Sequence, residues 1–287
     1  MTAARTPFRI EPGSGHVIRG DLWSPANGGA SESAIVVCHG FKGFKDWGFF
    51  PYLSSRIAER TNLPTVGFNF SGSGVGDDLE TFSELERFGH NTFSDEVRDL
   101  SVVLAGLEAG TLGDVSLHPV RHFGLFGHSR GGASAVLTAA AREDVQAVAT
   151  WAAISSVERY EQAYAEELER DGVVTIHNAR TGQDMPLYRD LLDDIRANRE
   201  ALNVLGAAAR LRAPFLIVHG TEDESVPTSA ARELKAAAGD RGHLEWVEGG
   251  SHTMNSAHPF PGSNPTLDHA VELTADHFAE HMTRAVA

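Results

Sequence analysis

The stretch His122-Phe123-Gly124-Leu125-Phe126-Gly127-His128-Ser129-Arg130-Gly131-Gly132 leaves the chain few options. An apolar run stops at a glycine, a serine follows two residues later, and two more glycines lead into an alanine-rich stretch at 133–141. That order predicts a strand, a sharp turn and a helix. Gly127, Ser129 and Gly131 fill the pattern GxSxG, in which small flanking residues make room for a strained turn that pushes the serine hydroxyl into the open. The helix that starts just after Ser129 would aim backbone N–H groups and the positive end of its dipole at a developing oxyanion. The same residues also read as a small-residue turn with an ordinary N-capping serine. The rest of the chain has to supply the serine's partners.

Around this centre, apolar runs alternate with helical patterns. Residues 34–38 form a continuous apolar run of the kind buried on both faces of a parallel sheet, 65–70 form a second buried run, and 145–151 and 214–219 read as further strands. Helical spacing appears at 51–60, from Thr92 through Leu107, at 230–238 and at 266–283. Residues 8–23, with Pro12-Gly13-Ser14-Gly15 between two apolar arms, predict an antiparallel hairpin. The alternation predicts an α/β fold with a mostly parallel central sheet and helices on both faces.

The rhythm breaks from Ile154 to Arg210. Tyr160, Tyr164 and Leu168 recur every four residues on a charged helix ending at Asp171-Gly172; a small hairpin and further helices follow. Residues 154–210 are therefore expected to be an inserted cap, and residues 1–153 with 211–287 the core. A cap over the site and decoration away from it are the two readings of this insertion.

A reactive serine needs a base, a group that fixes the base's tautomer, and donors for the oxyanion. The strand at 214–219 is followed by Gly220-Thr221-Glu222-Asp223-Glu224, where Asp223 is favoured over its acidic neighbours because only one position in a tight turn can face the base. The strand at 243–247 is followed by Gly249-Gly250-Ser251-His252, which puts His252 in a loop able to reach Ser129. His243 begins a strand and His258 lies further on in a Pro-rich loop, so both are weaker candidates. His39 and His128, beside motif glycines, are expected to brace loops. The order Ser129, Asp223, His252 is nucleophile, acid, base.

Together His39-Gly40-Phe41, Gly127-His128-Ser129-Arg130-Gly131-Gly132, His219-Gly220-Thr221-Glu222-Asp223 and Gly250-Ser251-His252 resemble the α/β-hydrolase superfamily over nearly the whole chain outside the cap. The His-Gly-Phe sequence and the short cap look most like the dienelactone-hydrolase and cinnamoyl or feruloyl esterase branch. The resemblance implies an oxyanion hole made by the backbone N–H groups of Phe41 and Arg130. It also implies that Ser71 to Gly76 is the loop family members carry after the next strand. Typical members have Asp-x-Arg-Gly there, whereas this chain has Asn69-Phe70-Ser71-Gly72.

The expected activity is hydrolysis of a small-molecule carboxylic ester through an acyl-enzyme, with an oligopeptidase-like amide hydrolase and a noncatalytic binding protein of the same fold as alternatives. Tyr160 and Tyr164 of the cap would help to shape the pocket. Phe41, Phe44, Trp47, Phe49 and Phe50 crowd the loop beside the oxyanion hole, so Phe44 and Trp47 read either as an aromatic acyl pocket or as packing.

No cofactor is expected: the glycines at 72–76 lack the Lys-Ser/Thr of a phosphate loop, and the 14 histidines form no metal-ligand spacing. Cys38, the single cysteine, sits in an apolar strand and reads as a buried small hydrophobe. With 39 acidic residues against 24 lysines and arginines, the net charge of −15 disfavours nucleic acid and anionic membrane as partners. Without a signal-like N-terminus or a long apolar run, a cytoplasmic location is expected.

Overall fold

The computed structural model describes residues 3–11, 13, 17–178 and 181–282; most of the expected turn at 12–15, part of the loop at 178–183 and Thr283 lie outside them. The chain begins with β1 (Ala4–Ile10), β2 (Ile18–Ser24), β3 (Ser33–Cys38), α1 (Phe50–Thr61) and β4 (Thr65–Asn69). It continues through α2 (Leu85–Gly89), α3 (Phe93–Ala109), the short pair β5 (Thr111–Leu112) and β6 (Val115–Ser116), then β7 (His122–His128), α4 (Arg130–Ala140) and β8 (Val145–Trp151). Next come α5 (Glu158–Asp171), β9 (Val173–Asn178), β10 (Gln183–Tyr188), α6 (Asp190–Ala197) and α7 (Val204–Arg210). The last elements are β11 (Phe215–Gly220), α8 (Thr228–Ala238), β12 (Gly242–Val247) and α9 (Pro265–Met282).

Eight strands form one sheet in the order β1-β2-β4-β3-β7-β8-β11-β12. The pairs β1–β2 and β2–β4 are antiparallel and the rest are parallel. The continuous apolar runs follow from burial on both faces. In β3, Ala34, Val36 and Cys38 enter one apolar cluster with α3, α4, α7 and α8, while Ile35 and Val37 enter the other with α1 and α9. Strand β11 divides the same way, Phe215 and Ile217 against Leu216 and Val218. Each of the valine, leucine, isoleucine and phenylalanine side chains among these, fully buried, contributes about 1.5–3 kcal/mol. Among the described residues no helix is long and apolar enough to cross a membrane.

Local signals set the helix ends. Helix α3 starts at a capping box in which Thr92 and Asp95 each accept the other's backbone N–H. Helix α5 ends at Asp171 because Gly172, at φ 75°, takes the left-handed conformation that closes the last turn.

This topology also places the site. Strands β3 and β7 are neighbours, but the chain leaves β3 for β4 on one side and β7 for β8 on the other. The loops after them diverge and open a crevice at the carboxyl ends of the strands.

Candidate active site

Ser129 stands at the mouth of that crevice, between β7 and α4, with φ 55° and ψ −119°. A non-glycine residue in this region costs about 1–3 kcal/mol and persists only where its surroundings hold it. Here they do: the Ser129 N–H donates to the Trp151 carbonyl at 2.9 Å, and the Ser129 carbonyl accepts from Gly132 and Ile154. The glycines are needed for closeness. A methyl carbon on Gly127 would stand 2.3 Å from the Gly131 carbonyl oxygen, and one on Gly131 would stand 2.2 Å from that of His39.

His252 reaches the same cavity from the loop after β12. Its Nδ1 lies 2.9 and 3.0 Å from the two carboxylate oxygens of Asp223, in the loop after β11. A carboxylate only accepts, so Nδ1 carries the proton and Nε2 keeps its lone pair. Ser129 and His252 share the cavity without a hydrogen bond between them among the described residues; such contacts are often long before substrate binds. The Asp223 side chain is 0% exposed. Its Oδ1 also accepts from the backbone N–H groups of Ser225 at 2.8 Å and Val226 at 2.9 Å. Burial alone would raise this carboxyl, but the hydrogen bonds from His219, His252 and the backbone outweigh it and hold the group well below the usual carboxylate range.

The rivals lie elsewhere. Glu222 and Glu224 are exposed, His243 pairs with Glu245 on the surface, and His258 accepts from the Gly48 N–H and packs on Phe44 and Trp47.

His39 and His128 brace loops. The Phe70 N–H donates to His39 Nε2 at 3.2 Å while His39 Nδ1 donates to the Gly40 carbonyl, and burial pulls its pKa down to about 4. His128 Nε2 donates to the backbone carbonyl of His252 at 2.8 Å. The loop after β4 departs from the Asp-x-Arg-Gly pattern yet is tied to the His-Gly loop and to α3: Asn69 Oδ1 accepts from the Lys45 N–H at 2.6 Å, and the Ser71 N–H donates to buried Asp99 of α3 at 2.7 Å.

Phe41, Tyr160 and Tyr164 line the cavity, whose volume is about 390 Å³, within the range of small-molecule sites. Phe44 and Trp47 do not line it. They are 2% and 5% exposed and pack on Phe82, Phe49 and His258, because their turn directs them under the loop, so of the two readings of these rings the structure shows packing. Helix α5 brings its tyrosines to the cavity, with Ile176 of β9 beside them. Helix α7 instead packs on α4 and α8 as the crossover that returns the chain to β11.

Three contributors were not singled out from sequence. His219, 0% exposed at the end of β11, places Nε2 3.0 Å from the Val226 carbonyl and 3.3 Å from Asp223 Oδ2; its signal was a histidine inside an otherwise apolar strand. Glu96 sits 2.7 Å from Nε of Arg130, whose side chain is 0% exposed and whose guanidinium stacks 4.1 Å from the Phe93 ring centroid. Glu96 precedes Leu100 by one helical turn, which marked it as facing the core. The third contributor is the pair Lys42 and Arg159, both on the cavity wall.

The alpha/beta hydrolase family model matches residues 35–262, more than half of the chain. No curated protein sequence matches it. Among solved structures, the esterase domain of a Rhodothermus marinus protein superposes with a TM-score of 0.66 at 18% identity, covering 98% of this chain and 99% of that one. Est1E from Butyrivibrio proteoclasticus, with ferulic acid bound, gives 0.64 at 20% identity over 95% and 96% of the two chains. A dienelactone hydrolase from Anabaena variabilis gives 0.61 at 15% identity over 98% and 99%. At these identities the likeness is one of fold.

Proposed function

The chain belongs to the alpha/beta hydrolase family, and from that premise we propose that it is a serine hydrolase cleaving carboxylic esters through an acyl-enzyme. The observation that carries this reading is the Asp223–His252 pair, which leaves the Nε2 lone pair of His252 in the cavity that Ser129 lines. Ser129 Oγ attacks the ester carbon while Nε2 takes its proton, and Asp223 stabilises the imidazolium that forms. The backbone N–H groups of Phe41 and Arg130 receive the oxyanion, and collapse expels the alcohol with the proton from His252. Water activated by His252 then releases the acid and restores Ser129.

Within residues 154–210, α5 and β9 form the part of the cap that reaches the substrate, while α7 belongs to the core crossover.

The test is a panel of p-nitrophenyl esters of graded chain length beside methyl ferulate and aminoacyl anilides, assayed on the protein and on Ser129→Ala. Turnover should fall about 10⁶-fold in the variant, as when a triad nucleophile is lost, and a fluorophosphonate should label the parent at Ser129 alone. Near-normal turnover by a well-folded Ser129→Ala protein would overturn the mechanism, and faster release of amine than of alcohol would overturn the ester preference.

A further inference from the structure

The cavity that holds Ser129 and His252 has a charge opposite to that of the chain around it. The molecule carries a net −15, yet the cavity wall includes two cations, Lys42 and Arg159, and no carboxylate among the described residues. Asp223, the carboxylate paired with His252, lies behind it with its side chain fully buried, and Glu158 and Glu161 beside Arg159 in the chain pair with Arg199.

Each cation occupies a backbone position that its own surroundings disfavour. The Gly43 N–H donates to the Gly40 carbonyl at 3.0 Å, so Phe41 and Lys42 are the central residues of a tight turn, and Lys42 has φ 55°. Glycine is the usual residue where the second central position needs a positive φ. Arg159 is the second residue of α5, in the first turn, where the helix dipole favours acids. It is held there by a hydrogen bond from its guanidinium to the Ser225 carbonyl at 2.9 Å, beside the Asp223 loop, and pairs with no carboxylate among the described residues. One bond leaves most of its five N–H donors for a ligand. Two unrelated elements thus each accept a poorly placed residue, and both deliver positive charge to one small cavity.

We propose that the substrate is an ester bearing a carboxylate away from the scissile bond, and that Lys42 and Arg159 bind that carboxylate. The inference rests on the serine hydrolase reading and adds the substrate class to it. A charge-assisted contact to a carboxylate is roughly twice as strong as a neutral hydrogen bond, so the preference should be large enough to read in kcat/KM. The carboxylate could belong to the acyl or to the alcohol part, and the test separates the two.

Mono-p-nitrophenyl glutarate is compared with its methyl diester, and 4-carboxyphenyl butyrate with the corresponding methyl ester of its carboxylate, each rate being divided by that of hydroxide. One anionic member should exceed its neutral partner by at least about tenfold in kcat/KM, and the pair in which it does so identifies the part that carries the charge. In Lys42→Gly and in Arg159→Met that ratio should fall toward one. Lys42→Gly suits the left-handed turn and so keeps the test clear of a folding failure. Ratios at or below one in both pairs, or a ratio that both variants leave unchanged, would overturn the proposal. If Ser129 takes the fluorophosphonate label but none of the four esters is cleaved, the proposal fails and the hydrolase reading survives. If neither label nor turnover is seen, both fail.

Discussion

Exchanging Asp223 for asparagine keeps the shape of the side chain and reverses its chemistry, since an amide nitrogen would face His252 Nδ1 where an acceptor is needed. The wrong tautomer is then favoured, and in a serine protease this costs about 10⁴ in kcat. Asp223→Asn is accordingly expected to lower kcat by about 10³- to 10⁴-fold. Glu222→Gln and Glu224→Gln, on exposed side chains, should each change it by less than about tenfold. Measuring kcat for all three on one ester decides the assignment, and a glutamate variant as damaged as Asp223→Asn would move the acid. At this scale the sequence was most informative where chemistry dictates residue type: a carboxylate and a histidine each placed just beyond a strand. It was least informative for Phe44 and Trp47, because a cluster of rings near a loop does not reveal which side of the loop each ring faces.

Helices α3 and α4 meet through a buried charge pair, and its loss has a calculable cost. Glu96→Ala would leave the Arg130 guanidinium, 0% exposed, without its carboxylate, and an uncompensated buried charge costs about 3–5 kcal/mol. Denaturant unfolding should show a loss of that size; a loss below about 1 kcal/mol, the range of surface pairs, would show that the pair is dispensable. Helix α5 makes a finer prediction. The Tyr160 ring packs on Phe41, Phe93 and Arg130, whereas the Tyr164 ring packs on that of Tyr160. Tyr160→Ala should therefore cost about 2 kcal/mol, below the full cost of a buried aromatic, and also alter the ranking of esters. Tyr164→Ala should alter the ranking with little change in Tm. Equal Tm losses in the two variants would show that both rings are simply core. Long elements with a clear period were legible, including the parallel strands, the start of α3 at Thr92 and the stop of α5 at Gly172. Helix α2 and the β5–β6 pair were not, since elements of five and two residues are too short to display a period and are held by tertiary contact.

Over the whole molecule, acid should weaken the fold before most carboxylates titrate. Burial lowers His39 and His277 from 6.5 to about 4, so both are neutral in the folded chain and ionise more readily when it unfolds. Between these values the unfolded state binds more protons, and the stability these groups contribute is complete above about pH 6.5 and lost as the pH falls toward 4. Tm should decline between pH 6.5 and 5, and His39→Asn should flatten the slope whatever it does to the absolute Tm; a level profile across that window would contradict the burial of these rings as neutral species. The sheet order, unlike the run of elements, could not be read along the chain, because the reversal at β3 and β7 is a matter of which neighbours pack. That order has a consequence in time. Ser129 follows β7, in the middle of the sheet, while His252 follows β12 at its edge. At roughly 5–20 residues per second, the histidine leaves the ribosome about 6–25 s after the serine. On the proposed mechanism the serine of a nascent chain is an ordinary alcohol until β11 and β12 have docked, so hydrolytic activity would report completed folding and a half-made chain would be chemically silent.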